Sequence, residues 1–395
     1  MIRYIGWVLG SRVTQLMITI CLQLLLARCF SPQEFGRFAS LFSIVTLWNL
    51  TLSLRFPLQV VRQKNCDLNL YWSAVLVEAL IVCGILGVVF FSIFSFSIDL
   101  TLLLISGFVF RVLDFVKASQ ERMSTHLQLL KLEQISFFLA NGLIAIGAIG
   151  GGGAWILPLR ELLIPLCFLA FLWPKRSFQW TWIPWMKWKS MIRLEHSLWV
   201  DGLFEQGLSR ISVLIVGWVG GDVSSGLYFQ AQRLISIPHT HFCSLINRYA
   251  FHLFSSAVSD AERSEIRNRL SLLLVPPMGL GTGLIIWKGN DWIGVLLGGE
   301  WTLIIDILQA MAGALVFMTL FSIHKVYFLA VKASRCLVQA RIWQVVGFSL
   351  PFLVFQPRQL WVFGLSFSLM NLFGLLSTTY SLFRMNRRVL LDLHS

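Results

Sequence analysis

Residues 73–96 read SAVLVEALIVCGILGVVFFSIFSF, an apolar run in which Glu78 is the one charged residue. A helix needs about 20 apolar residues to cross the hydrocarbon core of a bilayer, so this run is long enough to span it. Comparable runs recur along nearly the whole chain, and we count about twelve of them on that criterion. The sequence therefore predicts an all-α membrane protein that crosses the bilayer many times.

The overall composition agrees with that prediction and excludes other classes. Hydrophobic residues make up 56% of the chain and charged residues 13%, with a mean hydropathy of +0.74, whereas soluble domains have about 25% charged residues. The net charge of +13 could suggest nucleic acid. Lys and Arg cluster in loops beside apolar runs, however, where they set topology and contact anionic lipid. We therefore expect membrane lipids as partners and no nucleic acid.

The predicted spans are bounded by charged residues or by turn residues. They are residues 4–27, 38–61, 73–96, 99–117, 133–152, 154–173, 198–220, 225–250, 270–287, 302–323, 336–356 and 359–383. Proline inside a membrane helix is tolerated when neighbouring groups satisfy the freed backbone. On that basis we predict that the second span, 38–61, includes Pro57.

Basic residues are distributed unevenly between the two sides of these spans. With the N-terminus in the cytoplasm, the external loops contain Arg28, Arg37, Lys288 and Arg358, and nearly all other loop Lys and Arg residues face inward. Cytoplasmic loops carry the excess of positive charge in membrane proteins. The sequence therefore predicts that both termini are cytoplasmic.

The longest inward connection, residues 174–197, combines four tryptophans with five basic residues. Aromatic and cationic side chains together suit the headgroup region of a bilayer, so we expect this segment to lie along the cytoplasmic leaflet. It also falls at the middle of the chain. We therefore predict an N-terminal six-helix bundle (1–173), an interfacial linker (174–197) and a C-terminal six-helix bundle (198–395).

Two loop-to-helix junctions carry a family resemblance. Residues 24–39, LLLARCFSPQEFGRFA, resemble the opening of polysaccharide transporters of the Wzx type, in which the first helix ends in LAR-x-L-x-P-x-E-F/Y-G. Residues 219–234, VGGDVSSGLYFQAQRL, are similar to that family's G-x-x-x-V-G-x-Y-x-x-A-x-x-L signature. Together the two motifs cover about thirty residues, and length, span number and orientation agree elsewhere.

This resemblance implies the fold of the multidrug, oligosaccharidyl-lipid and polysaccharide exporter superfamily, with two bundles around a central cavity that opens alternately to each side. It implies a flippase that moves undecaprenyl-pyrophosphate-linked oligosaccharide, the O-antigen repeat unit of lipopolysaccharide or a related unit, across the bacterial cytoplasmic (inner) membrane. A polysaccharide polymerase and a chain-length regulator are then candidate partners. The first span has no carboxylate like the ion-coupling residue of the drug-exporting branch, so proton and sodium both stay open as coupling ions.

Apart from Arg248 and Arg341, which we count with the cytoplasmic basic residues, six arginines lie within the predicted spans. Ionisable groups there are costly and usually face protein or a watery cavity. Arginine stays charged when desolvated and binds phosphate oxygens through paired donors. Polar residues at steps of three or four also form stripes on the first, second and eighth helices, although such stripes can simply hold helices together. The predicted substrate-binding residues are Arg55, Arg210, Arg233, Arg12, Gln15 and Gln230.

The charged residues within the spans also allow alternative interpretations of their roles. Arg12 could equally reach the interface with its long side chain. Arg111 has Asp114 one turn later, and Arg160 has Glu161 beside it, which favours structural ion pairs. The candidate ion-coupling residues are Asp201, Glu205, Glu78 and Asp306, each of which could instead neutralise an arginine. Cysteine and histidine spacings predict no metal site, and no cofactor is expected.

Two other functions fit the same pattern of spans. A drug or cation exporter of the same superfamily would favour an acidic cavity, but these spans hold more arginine than carboxylate. A membrane oligosaccharide polymerase would be an enzyme, and such polymerases usually have a large external loop. The longest predicted external segment, 288–301, is short, so we predict a transporter and not an enzyme.

Overall fold

A computed structural model of the chain describes residues 2–54, 56–62, 67–94, 97–122, 126–172, 178–193, 196–257, 259–331, 333–355 and 359–392. Throughout these ranges the regular structure is helical and contains no strand, which confirms the all-α class. The helices are α1 (Ile2–Cys29), α2 (Pro32–Thr51), α3 (Phe56–Arg62), α4 (Leu68–Phe94), α5 (Ile98–Arg122), α6 (His126–Ile149), α7 (Ile156–Leu172), α8 (Trp185–Arg193), α9 (His196–Ser256), α10 (Asp260–Leu297), α11 (Ile304–Met311), α12 (Ala314–Ala330), α13 (Ser334–Val354) and α14 (Leu360–Asp392).

Each of the twelve predicted spans falls on one or more of these helices. Among the described residues, eight stretches are long and apolar enough to cross a membrane by length and composition alone. One of them, Gln206–His241, overlaps the two predicted spans 198–220 and 225–250. Between these two spans α9 is interrupted at Gly221, where φ is +77° and ψ is −178°. Several apolar spans in one chain define a multi-pass membrane protein.

The chain forms two compact units. The first unit contains Met1–Gly36 and Ile215–Ser395, and the second contains Arg37–Leu214. Buried aromatic residues are central to the core of each, such as Phe254 and Phe328 in the first unit and Phe56 and Phe115 in the second. The predicted division into two bundles at 173 and 198 stays a prediction.

The second predicted span is not one helix, because α2 ends at Thr51 and α3 begins at Phe56. Pro57 explains the break: it has no amide hydrogen to donate, and its ring disfavours helical geometry in the residue before it. Our expectation of a continuous helix over 38–61 was therefore wrong. The span expected at 302–323 is also divided, into α11 and α12. At this junction the Ala312 carbonyl accepts from the Leu315 amide at 3.2 Å and from the Thr282 hydroxyl at 2.9 Å.

The first of the two sequence motifs starts α2 with a capping box. The Ser31 amide donates to the Glu34 carboxylate at 2.8 Å, and the Glu34 amide donates to the Ser31 hydroxyl at 3.4 Å. Pro32 occupies the first helical position, where a missing amide hydrogen costs nothing. The Ser-Pro-x-Glu sequence therefore accounts for where this helix begins.

The two motifs also pack against each other within the first unit. A methyl group on Gly36 would lie 1.8 Å from the Asp222 carbonyl oxygen, and one on Gly226 would lie 1.9 Å from the Pro32 carbonyl oxygen. Two backbones can approach this closely only where a residue has no side chain. Beside this contact, the buried Phe35 ring meets the Trp301 ring edge-on, with centroids 5.2 Å apart.

The C-terminal end of α10 is held by the end of α1. The Arg28 guanidinium donates to the Val295 and Leu296 carbonyls at 2.6 and 3.0 Å, and the Trp301 indole donates to the Ala27 carbonyl at 2.6 Å. The last carbonyls of a helix have no partner within the helix, and basic side chains commonly satisfy them. Arg28, which we predicted in an external loop, thus has a structural role as a helix cap.

Candidate functional site

A cavity of about 410 Å³ lies within the second unit. This volume is in the range of small-molecule binding sites. Its wall is formed by α2 and the residues after it, together with α5, α7 and the start of α9. The lining residues are Phe42, Val45, Thr46, Asn49, Leu50, Ser53, Leu103, Ser106, Gly107, Phe110, Arg111, Asp114, Glu161, Gln206 and Arg210.

The wall combines charges of both signs with amides, hydroxyls and aromatic rings. Arg210, one of the predicted substrate-binding residues, lies here on α9. Its guanidinium carbon is 4.5 Å from the centroid of the Phe42 ring, a cation–π distance. Asp114 and Glu161 line the same cavity. Spacing along one helix does not predict that these residues meet, because they come from separate helices.

The break between α2 and α3 borders this cavity and is stabilised by an ion pair. Arg111 donates to a carboxylate oxygen of Glu78 and also to the backbone carbonyl of Asn49 at the end of α2. Glu78 in turn accepts from the Leu54 amide at 3.0 Å, just before α3. The pair thereby satisfies a carbonyl and an amide beside the break, and each charge has the sign that suits its helix end.

This arrangement bears on two sequence predictions. Glu78 was a candidate for ion coupling, and the structure places it on Arg111 and the backbone before α3. An ion pair was predicted for Arg111, and Glu78, which is 33 residues away, is a partner that spacing along one helix cannot reveal. Discontinuous helices that line a cavity are common at the binding sites of transporters.

The predicted polar stripe on α1 consists of Arg12, Gln15, Thr19 and Gln23. It lies within the first unit, where Arg12 is partly buried and the other three are buried. Arg12 donates to the side-chain oxygen of Gln15 at 2.7 Å. Gln15 and Gln23 are both buried, and the buried Gln230 amide lies 3.4 Å from the Gln23 carbonyl oxygen. Because polar groups inside a membrane protein can join helices without any ligand, these contacts alone do not define a site.

The other predicted residues are placed as follows. The Arg233 guanidinium lies over the Phe229 ring on the same helix, 4.5 Å from its centroid, and Asp306 is exposed in the first turn of α11. Arg55 and the side chains of Asp201 and Glu205 lie outside the described residues. The part of the chain that the structure describes contains no group of residues suited to hold a metal ion.

One buried cation was not recognised as such from the sequence. Arg341 of α13 is 5% exposed, donates to Gln344 at 2.9 Å and lies 5.1 Å from the centroid of the Phe321 ring. The prediction of orientation counts Arg341 among the cytoplasmic basic residues. The sequence does contain a sign that Arg341 is buried. It lies six residues after Arg335 on the same helix, which places it about 9 Å further toward the membrane interior.

The fold is similar to solved structures of transporters. An inward-facing multidrug resistance MATE family transporter of the MOP superfamily matches with a TM-score of 0.64 at 12% identity, over 96% of this chain and 98% of that one. The lipid II flippase MurJ, in an inward closed conformation, matches with a TM-score of 0.70 at 14% identity, over 94% of this chain and 86% of that one. At these identities the likeness shows the fold.

A third structure is a MOP superfamily transporter from Pyrococcus furiosus, for which a reversed polarity of the binding pocket has been taken to suggest a different function. It matches with a TM-score of 0.57 at 11% identity, over 96% of this chain and 95% of that one. The chain therefore has the fold of MOP-superfamily transporters, which confirms the predicted fold.

Sequence comparison gives the family. Residues 25–306 match the model of a family described as polysaccharide biosynthesis protein, so the chain belongs to that family. No curated protein sequence matches it. The match begins at the first of the two motifs and includes the second.

Proposed function

We propose that this protein is a flippase that moves undecaprenyl-pyrophosphate-linked oligosaccharide repeat units, of O-antigen or a related polysaccharide, across the bacterial cytoplasmic membrane by alternating access. The observation that carries the proposal is the cavity of the second unit, where Arg210 and Phe42 lie beside carboxylates and amides. Membership of a polysaccharide biosynthesis family supports the substrate class.

The wall of the cavity suits the head of a lipid-linked sugar. Phosphate oxygens pair with a guanidinium, and Arg210 on the cavity wall is the candidate for this role. Sugar hydroxyls pair with carboxylates and amides such as Asp114, Glu161 and Gln206, while an aromatic ring packs against the sugar face. The polyprenyl tail can stay in lipid. Arg55 and Arg233 are also proposed to attract the pyrophosphate.

The test is a deletion strain in which the lipid-linked repeat unit is located. We expect the unit to accumulate on the inner leaflet, and accumulation of flipped, unpolymerised units would instead favour a polymerase. Complementation with Arg210→Ala should lower surface polysaccharide about 10- to 100-fold at equal protein level, because a charged hydrogen bond contributes about 1.5–3 kcal/mol. Arg210→Lys should retain part of the activity, since it keeps the charge without the paired donors.

Arg269→Ala is the matched control, because Arg269 is exposed near the start of α10 and pairs with Glu265 one turn earlier. It should leave export unchanged. Normal export by Arg210→Ala would remove that residue from the mechanism, while a deletion strain without stalled repeat units would overturn the flippase assignment itself.

A drug or cation exporter is the second candidate, and the two carboxylates on the cavity wall favour it. Asp114 and Glu161 would attract a cationic drug as readily as a sugar hydroxyl. Greater drug sensitivity of the deletion strain, with surface polysaccharide intact, would support this alternative. The coupling ion, proton or sodium, is proposed to act through Asp201, Glu205, Glu78 or Asp306.

A further inference from the structure

The segment before α9 presents a large apolar surface on its outer side. Trp182, Trp185 and Met186 are 83%, 79% and 81% exposed, and Trp180 is 56% exposed. Exposed residues this large rarely cluster on a protein surface unless something covers them. The sequence predicted that this region lies along the membrane, and the structure shows which of its side chains face outward.

The inner side of the same segment is firmly attached to the second unit. Phe178 stacks on Trp72 of α4 and meets Phe115 of α5 edge-on, with centroids 5.1 and 5.4 Å away. The Thr181 amide donates to the Ser73 hydroxyl at 2.8 Å. The outward side chains are therefore held in place, and the surface is not a consequence of a loose loop.

Charge indicates what covers this surface. Residues 173–194 contain Lys175, Arg176, Lys187, Lys189 and Arg193 and no acidic residue. Lys187 and Lys189 are exposed on α8 beside Trp185 and Met186. Tryptophan and lysine together suit the headgroup boundary of a membrane, and each basic residue there favours anionic lipid.

Helix α8 also contacts α3, the helix that follows the break beside the cavity. Trp188 of α8 packs edge-on against Phe56 of α3, with centroids 5.9 Å apart. Gln59 of α3 donates to the Met191 carbonyl of α8 at 2.9 Å and accepts from the Tyr71 hydroxyl at 3.1 Å. Helix α3 follows the break beside the cavity, so α8 fixes one side of that break.

We propose that the outer face of α8 and the residues just before it bind anionic phospholipid headgroups, and that this contact holds α3 in position next to the cavity. The partner is the anionic lipid of the membrane in which the protein lies. This inference does not depend on the identity of the transported substrate, and its test uses no transport measurement.

The location of the surface can be tested with a spin label. Met186→Cys, in a full-length background without native cysteines, is labelled and reconstituted in vesicles of phosphatidylcholine alone or phosphatidylcholine with phosphatidylglycerol. We expect the anionic vesicles to protect the label from a water-soluble nickel relaxant and to raise its collisions with oxygen. A label at Thr302, exposed in the turn before α11, should stay accessible to nickel in both vesicles.

Lys187→Gln/Lys189→Gln should abolish the difference between the two vesicles at position 186, whereas Arg269→Gln, which removes an exposed charge on α10, should not. A label at 186 that is equally accessible to nickel in both vesicles would overturn the proposal. Protection that appears only when a second membrane protein is reconstituted would also overturn it, in favour of a protein partner.

The connection to α3 has its own measurement, which is hydrogen exchange of the backbone amides of residues 58–62. Exchange should be slower in the anionic vesicles, and the double lysine variant should lose that difference. If the label is protected but exchange in α3 is the same in both kinds of vesicle, the lipid-binding surface is supported. The proposed effect of lipid on the position of α3 is then refuted.

Discussion

At the residue scale, the most consequential contact is the pair formed by Arg111 and Glu78. A buried ion pair is weak evidence for stability, because taking two charges out of water costs nearly what their attraction returns. Here, however, both partners also satisfy backbone groups beside a helix break. Removing either partner leaves a buried charge and an unsatisfied backbone group together.

We therefore expect Arg111→Ala to lower the free energy of unfolding by about 3–5 kcal/mol, the usual effect of breaking a buried pair. The double variant Arg111→Ala/Glu78→Ala should lose less than the sum of the single changes, as measured by thermal unfolding of the purified protein in detergent. Strictly additive losses would show that the two residues do not act as a pair.

The pair of Lys117 and Glu133 provides the control. Its charged atoms are 3.8 Å apart, and both side chains are 27% exposed. Because partly exposed pairs contribute about 0–1 kcal/mol, Lys117→Ala should have little effect in the same measurement. An effect as large as that of Arg111→Ala would mean that burial does not distinguish the two pairs.

At the scale of elements, the close contact between the start of α2 and the second motif is the most demanding feature. Gly226→Ala would place its methyl group 1.9 Å from a backbone oxygen, so the two backbones must separate. We expect a loss of at least about 1–3 kcal/mol, as for other overpacked sites, seen as a lower unfolding temperature in detergent. Gly142→Ala is the control, since the space around Gly142 is open. Equal effects at both positions would refute the packing argument.

The sequence was most informative about where helices lie. Each of the twelve predicted apolar runs falls on one or more helices, and the Ser-Pro-x-Glu motif marks the start of α2. The start of α10 was also readable, because Ser259 caps the Glu262 amide at 3.2 Å in the same kind of motif, although we expected that helix to begin only at 270. Pro57 indicates the break after α2, but we interpreted it as a proline tolerated within one continuous helix.

The sequence was much less informative about which residues meet. Glu78 and Arg111 are 33 residues apart, and Arg28 reaches carbonyls 267 and 268 residues away. A single sequence shows spacing along one element, whereas these contacts depend on how separate helices pack. For the same reason, the cavity wall could not be assembled from the rows of polar residues.

At the scale of the whole molecule, the uneven distribution of basic residues predicts which way the chain crosses the membrane. Single cysteines at Glu265 and Glu300, near opposite ends of α10, test this in a background without native cysteines. A membrane-impermeant thiol reagent applied to intact cells should label the variant Glu300→Cys and leave Glu265→Cys unlabelled until the cells are opened. The reverse pattern would invert the predicted orientation, and labelling of both would contradict a spanning α10.

The length of α10 has a practical consequence. Its 38 residues would extend about 57 Å at 1.5 Å per residue, well beyond a hydrocarbon core of about 30 Å. Charged residues occupy its first turns, from Asp260 to Arg269, so we expect this part to lie in water ahead of the Pro276–Pro277 pair. A two-helix insertion between Ser256 and Asp260, with its second helix joined in register to α10, would extend this part rigidly. The added mass would give electron microscopy a fiducial outside the detergent that surrounds the protein.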